Sequence, residues 1–274
     1  MPRPKRIPRG SFIDLGYFEA PGLGPARRVR AYAPHGHVHS LPRPALWMFD
    51  GQNVFEDEGS FSGGWYAHET LDRFAVLKKP VAPVLVAIDH GGVGRIDELT
   101  PFPDQTRPEL PADPTRPEQP GDAKKGGRAD EFLSWMVESL MPLVRRSVGL
   151  REEPEVNIVG GSSLGGLAAF YAHLKYPHAF GGAMSMSASF WFGKRRIFEF
   201  AEAAPIPWTS RVYLDGGVRE ARGMMFRHGK EMSDLLLRRG WPADNVMWRP
   251  DSKGTHSEKH WRRRLPKALR FLFR

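Results

Sequence analysis

Val159-Gly160-Gly161-Ser162-Ser163-Leu164-Gly165-Gly166 joins an apolar run, Glu155-Val156-Asn157-Ile158-Val159, to a helix-forming one, Leu167-Ala168-Ala169-Phe170-Tyr171-Ala172. The stretch contains G-x-S-x-G with Ser163 at its centre, and strand, tight glycine turn and helix are the context a nucleophile elbow requires. Gly161 and Gly165 leave room where strand and helix cross, so the turn can lift the Ser163 hydroxyl above the strand ends. The helix that follows presents an N-terminus, whose unpaired N–H groups favour developing negative charge. Ser162 is the rival, but in that register position 164 should be glycine and is leucine.

A serine nucleophile needs a base and the base an orienting acid, in the order Ser, acid, His for this elbow class. His173 and His178 fall in or at the end of the helix after the elbow and read as surface or helix-terminal residues. His228 falls inside a further helical segment. His256 lies in a loop after the apolar run 245–248 and before an amphipathic segment, where a histidine can hang over the strand ends; His260 is the runner-up. For the acid, Arg211-Val212-Tyr213-Leu214-Asp215 reads as a strand, with Glu220 shortly beyond it. Either carboxylate could accept the Nδ1–H of His256 and stabilise the imidazolium. Spacing alone leaves Asp215 and Glu220 open.

The rest of the chain alternates. Strand-like runs fall at about 12–19, 27–33, 44–49, 83–89, 155–160, 181–187, 211–215 and 245–249, and helix-like segments at about 65–77, 128–147, 164–176, 222–239 and 258–273. That alternation predicts an α/β fold with a mostly parallel sheet covered on both faces, antiparallel at its start. The 274 residues suit a single domain over 1–274, with 1–10 a frayed tail and the Pro-rich, charged stretch 101–127 a lid or a disordered loop.

The sequence resembles an esterase family of α/β-hydrolases that includes esterase D, feruloyl esterases, mycolyltransferases and enterochelin esterases. The likeness rests on the elbow, on Tyr176-Pro177-His178-Ala179-Phe180-Gly181 and on Ser185-Met186-Ser187-Ala188-Ser189-Phe190-Trp191. Three further blocks point to the enterochelin esterase branch: Phe49-Asp50-Gly51-Gln52, Gly216-Gly217-Val218-Arg219-Glu220, and Gly254-Thr255-His256 with His260-Trp261-Arg262 after it. The resemblance implies an α/β-hydrolase fold, Ser163 as nucleophile, His256 as general base and Glu220, in place of Asp215, as acid. It implies an oxyanion hole made by the backbone N–H groups of Gln52 and Leu164. Asp89-His90-Gly91-Gly92 imitates the oxyanion loop of lipases and is expected to line the pocket instead. Asp50, Trp65 and Arg95 are expected to contact substrate, with a plain core tryptophan the alternative for Trp65. Arg95, with Glu98, could instead brace its loop as an ion pair.

Charge narrows the partners. Residues 1–30 carry seven Lys/Arg against two Asp/Glu and residues 251–274 eight against two, leaving −2 for the middle of a chain whose net charge is +9. Basicity at the termini, without an aromatic platform or a reading helix, argues against nucleic-acid binding and leaves a field that attracts anionic small molecules. Zero cysteines exclude disulfides and thiolate metal sites. His35, His37 and His39 alternate but lack a carboxylate and sit among Pro and Gly, so no metal site is expected. No apolar run follows the basic start and none reaches membrane length, so a cytoplasmic protein with no membrane partner is expected. The function predicted is serine carboxylic-ester hydrolysis without a cofactor, on a catecholate-siderophore lactone of the enterochelin type. Small acyl, acetylated or feruloylated carbohydrate esters are the alternative, with acyl transfer to a sugar or lipid acceptor behind them. A non-catalytic binding protein is the last, opposed by the intact elbow, histidine and acid.

Overall fold

The computed structural model describes residues 7–35, 42–60, 62–77, 82–104 and 126–274. Among these residues eight strands form one sheet: β1 (Ser11–Phe18), β2 (Arg27–Ala33), β3 (Ala45–Phe49), β4 (Val84–Ile88), β5 (Asn157–Ser162), β6 (Gly182–Met186), β7 (Arg211–Gly217) and β8 (Val246–Asp251). Their order is β1-β2-β4-β3-β5-β6-β7-β8. The pairings β1·β2 and β2·β4 are antiparallel and all later ones parallel, as the alternation of elements predicts.

Period-two side-chain alternation sorts the core into two layers. Ala45, Trp47 and Phe49 of β3, Val84, Val86 and Ile88 of β4, and Val212 and Leu214 of β7 face one layer. Leu46 and Met48, Leu85 and Ala87, and Tyr213 face the other. All five residues of β3 and of β4 are buried, which is why both read as unbroken apolar runs.

The helices are α1 (Ala67–Leu77), α2 (Arg95–Glu98), α3 (Ala129–Trp135), α4 (Met141–Val148), α5 (Leu164–Lys175), α6 (Arg196–Ala203), α7 (Met224–Arg238) and α8 (Glu258–Leu272). Buried side chains of α3 to α7 fill the first layer, and those of α1 and α8 the second. The single helix expected over 128–147 is α3 and α4 joined by a π-turn at Met136–Leu140. Pro142, in the first turn of α4, has no N–H to return to the carbonyl of Glu138, so the ladder slips there. Helix α6 was not foreseen: at eight residues, Arg196–Ala203 covers barely two turns, too few for its periodicity to stand out.

The ends of the 101–127 stretch are tied together, Gly127 N–H to the Thr100 carbonyl at 3.0 Å and Gly126 N–H to Asp97 Oδ1 at 2.6 Å. The body of the expected lid, 105–125, lies outside the described residues, as do His37, His39 and residues 1–6. Among the described residues no helix is long and apolar enough to cross a membrane, and no group of three or more His, Asp or Glu could hold a metal ion.

Candidate active site

Parallel strands all deliver their carboxyl ends to one rim, and loops beyond such ends build sites in α/β sheets. Here β3 leads to Asp50, β5 to Ser163, β6 to Ser187, β7 to Glu220 and β8 to His256. Ser163 stands between β5 and α5 with φ 56° and ψ −119°, a conformation a non-glycine residue keeps only when its surroundings impose it. They do: its N–H donates to the Met186 carbonyl at 3.0 Å and its carbonyl accepts from Ser189 N–H at 3.0 Å. Gly161 is required because a Cβ there would lie 2.6 Å from the backbone of Gly165. Ser162, the rival, is the buried last residue of β5, whereas Ser163 is half-buried.

Ser163 Oγ lies 3.0 Å from His256 Nε2, and His256 Nδ1 lies 3.0 Å from Glu220 Oε2. Burial pushes the Glu220 carboxyl up, but its bonds to His256, Arg264 and Ser187 outweigh burial and hold it below the ordinary carboxylate range. At neutral pH Glu220 is therefore an acceptor only, so Nδ1 carries the imidazole proton and Nε2 is free to accept from the serine hydroxyl. Asp215 does not reach His256. Its Oδ1 accepts Ser187 N–H at 3.0 Å and its Oδ2 the Tyr213 hydroxyl at 3.1 Å.

The 251–256 loop is fixed from α8. His260, the alternative base, accepts the Thr255 N–H on Nδ1 at 2.5 Å and so braces the loop that carries His256. The Trp261 ring stands edge-on to the His256 ring, 4.9 Å between centroids at 84°. Trp65 is only 2 % exposed and packs on Trp261 at 5.9 Å. It therefore backs the wall behind His256, the core-tryptophan alternative to a substrate contact.

Leu164 is the first residue of α5 and Gln52 lies in the short turn Gly51–Asn53, so both N–H groups occupy first-turn positions without an acceptor in their own helix. The lipase-like loop has committed its amides: Gly91 N–H donates to Glu98 Oε1 at 2.7 Å and Gly92 N–H to His90 Nδ1 at 3.0 Å. An amide already engaged inside the protein is a poor oxyanion donor.

Arg95 and Glu98 do not pair with each other. Arg95 makes a two-point ion pair with Asp50, and Glu98 is paired with Arg27, both buried. The Arg27 guanidinium also lies over the rings of Phe132 and Trp135, at 5.4 and 5.7 Å. Asp50 and Arg95, each expected to touch substrate, thus engage each other, with 29 % of the Arg95 side chain exposed.

His173, expected at the surface, is fully buried beside Trp241, while His178 is exposed as expected. Burial pushes the His173 imidazole down to about 3. Sequence reading missed Ser189, whose Oγ lies 3.2 Å from Ser163 Oγ. It also missed Ser187, which bonds the Glu220 carboxylate. Both stand at alternate positions just past β6, the one signal that could have flagged them.

The strand order, and a serine seated on the crossing from β5 to α5, define the class: the protein has an α/β-hydrolase fold. Residues 20–272 match the family described as Putative esterase, and the chain belongs to that family, whose enzyme class is carboxylic ester hydrolysis. It is 26% identical to the uncharacterized protein YbbA of Bacillus subtilis over 255 residues, covering 90% of this chain and 92% of that one. It is 29% identical to the iron(III) enterobactin esterase of Escherichia coli K12 over 140 residues, 48% of this chain and 33% of that protein. The enterobactin esterase of Shigella flexneri, solved in the presence of enterobactin, superposes with a TM-score of 0.72 at 23% identity, over 96% of this chain and 58% of that one. The chain thus spans about a third of the curated enterobactin esterase in sequence and somewhat over half of the solved one in structure.

Proposed function

We propose that the protein hydrolyses carboxylic esters through an acyl-enzyme on Ser163. Ser163 Oγ attacks the ester carbonyl carbon while His256 Nε2 takes its proton, and the oxyanion rests on the N–H groups of Gln52 and Leu164. Collapse breaks the ester C–O bond, and the leaving alkoxide takes the proton from His256. Water, deprotonated by His256, then attacks the acyl-enzyme; the acid departs and Ser163 recovers its proton. Glu220 holds the tautomer and offsets the imidazolium charge. The observation that carries this reading is the line Ser163 Oγ, His256 Nε2, His256 Nδ1, Glu220 Oε2, with both gaps at 3.0 Å.

For the substrate, the reading is an ester of an anionic catecholate siderophore, of the kind named for the enterobactin esterases. The likeness to them and the strongly basic chain support it. The test is hydrolysis of p-nitrophenyl butyrate and of ferric enterobactin by the wild type and by Ser163→Ala. Loss of both activities in the variant, on the order of 10³-fold or more, supports the chemistry. A wild type that cleaves only the butyrate ester removes the siderophore and leaves the hydrolase. Undiminished activity in Ser163→Ala overturns the nucleophile.

A further inference from the structure

Arg262-Arg263-Arg264 reads in sequence as the outer face of the terminal helix, yet Arg264 is only 7 % exposed. Its guanidinium enters the layer beneath the site and lies between two fully buried carboxylates. Nη1 is 3.1 Å from Asp215 Oδ1 and Nη2 is 3.3 Å from Glu220 Oε1. Nη2 also donates to Ser187 Oγ at 2.9 Å.

Ser187 Oγ is fully used. It accepts from Arg264 and from the Trp261 indole N–H at 3.0 Å, and donates its one proton to Glu220 Oε1 at 3.0 Å. Glu220 Oε1 therefore receives the Ser187 hydroxyl, the Gly217 N–H at 3.0 Å and the guanidinium. With three donors on one oxygen, the other, Oε2, is left among the described residues to His256.

Two buried carboxylates this close cannot both stay ionised without a cation between them. Burial already pushes Asp215 up to about 6 against the opposing pull of Arg264. The remaining ionisable neighbours do not replace that cation. Asp251 Oδ2 is 3.9 Å from Arg264 Nε and is itself bonded to Arg263, and Tyr213 donates to Asp215.

We infer that Arg264 is a positioning residue for ester hydrolysis: bridging Asp215 and Glu220, it keeps Glu220 a carboxylate with Oε2 aimed at His256, and Asp215 anchors the guanidinium. This rests on the Ser163, His256 and Glu220 reading above. Arg264 acts only through Glu220, so its effect disappears where Glu220 can no longer ionise.

The experiment is a double-mutant cycle on p-nitrophenyl butyrate hydrolysis with Arg264→Met, Glu220→Gln and the pair, each checked for folding by thermal unfolding and circular dichroism. In the wild-type background Arg264→Met should lower kcat about tenfold or more with KM little changed, since the residue lies beneath the site. The acid limb of its kcat/KM profile should move to higher pH, because the carboxyl pair binds a proton more readily without the cation and Glu220 must stay ionised to orient His256. In the Glu220→Gln background the same substitution should change kcat less than about twofold. Arg264→Lys keeps a cation but loses the fork; it should fall between and stands in if Arg264→Met does not fold. An equal loss in both backgrounds, an unmoved acid limb, or wild-type rates in Arg264→Met overturns the inference. If Ser163→Ala keeps full activity, the underlying hydrolase reading fails instead.

Discussion

Asp50 and Arg95 meet in a two-point ion pair, Nε to Oδ1 at 2.6 Å and Nη2 to Oδ2 at 2.8 Å. Asp50 is itself left-handed, with φ 55°, immediately before Gly51 and Gln52. Its Oδ2 lies 3.0 Å from where a side chain at Gly165 would begin, close to the first turn of α5. The pair therefore sets the turn that carries one proposed oxyanion donor and neutralises an anion beside the other. Removing Arg95 leaves a buried, unpaired carboxylate where negative charge must develop. Arg95→Ala should lower kcat for p-nitrophenyl butyrate by about 10- to 100-fold, and Arg95→Lys by less, since a lysine cannot make both contacts. A change confined to KM would mean that Arg95 instead serves the substrate directly.

Glu220 and Asp215 make opposite predictions. Glu220 touches the imidazole; among the described residues the Asp215 carboxylate reaches Ser187, Tyr213 and Arg264 and not His256. Glu220→Gln should cost on the order of 10² to 10⁴ in kcat, because the amide can present its N–H to Nδ1 and favour the wrong tautomer. Asp215→Asn should cost less than Glu220→Gln. Steady-state rates of the two variants side by side decide it, and the reverse ranking would restore Asp215 as the acid.

His173 makes stability depend on pH. Its folded imidazole is pushed from the ordinary 6.5 down to about 3 by burial. A base whose folded value is depressed contributes nothing to the slope above 6.5. Below it the unfolded chain takes a proton that the folded one refuses. Stability is then lost by about 1.4 kcal/mol per pH unit from 6.5 down toward 3. Asp215 works the other way: its folded value is raised from 3.8 to about 6, so the stability tied to its protonated form is present below 3.8 and is lost as pH rises through 6. His173→Leu nearly conserves volume and removes two buried ring nitrogens that have no hydrogen-bond partner among the described residues. Urea unfolding at pH 5 should find this variant more stable than wild type by about 2 kcal/mol, with the gap narrowing at pH 7.5. An equal gap at both pH values would assign the gain to packing alone.

The elbow glycines differ in what they face. A Cβ at Gly161 would sit 2.6 Å from the backbone of Gly165, whereas one at Gly165 would meet the Asp50 carboxylate at 3.0 Å. Backbone cannot yield, but a side chain can shift by a few tenths of an ångström. Gly161→Ala should destabilise by about 3 kcal/mol or more and abolish activity, whereas Gly165→Ala should fold and lose part of its rate. Denaturant midpoints and p-nitrophenyl butyrate rates of the two purified variants check this.

Much of the site was legible because its signals are local. Strand β5, the glycine turn and α5 are contiguous, and their geometry follows from which residues can tolerate the turn at Ser163. His256 was legible as a histidine in a loop between the last strand and the last helix. Arg264 was misread because three consecutive arginines look alike in sequence. On α8, successive positions are turned by about 100°, so only one of the three faces the sheet. His173 was misread for a related reason: α5 is buried on every side, so a polar residue on it says nothing about a wet face.

The sequence by itself determined the alternation that builds the sheet and the elbow that seats Ser163, because backbone preference and side-chain periodicity act over a few residues. Residue spacing left Glu220 and Asp215 open and only a family resemblance favoured Glu220; the tertiary structure decided that Glu220 meets His256, that Arg95 pairs with Asp50 and not Glu98, and that Arg264 lies between the two carboxylates. Those choices join residues far apart in the chain, and they depend on which strand ends the sheet order places side by side. In a buried, weakly screened layer each charge must find a partner within a few ångströms, and sequence spacing does not specify which partner that will be.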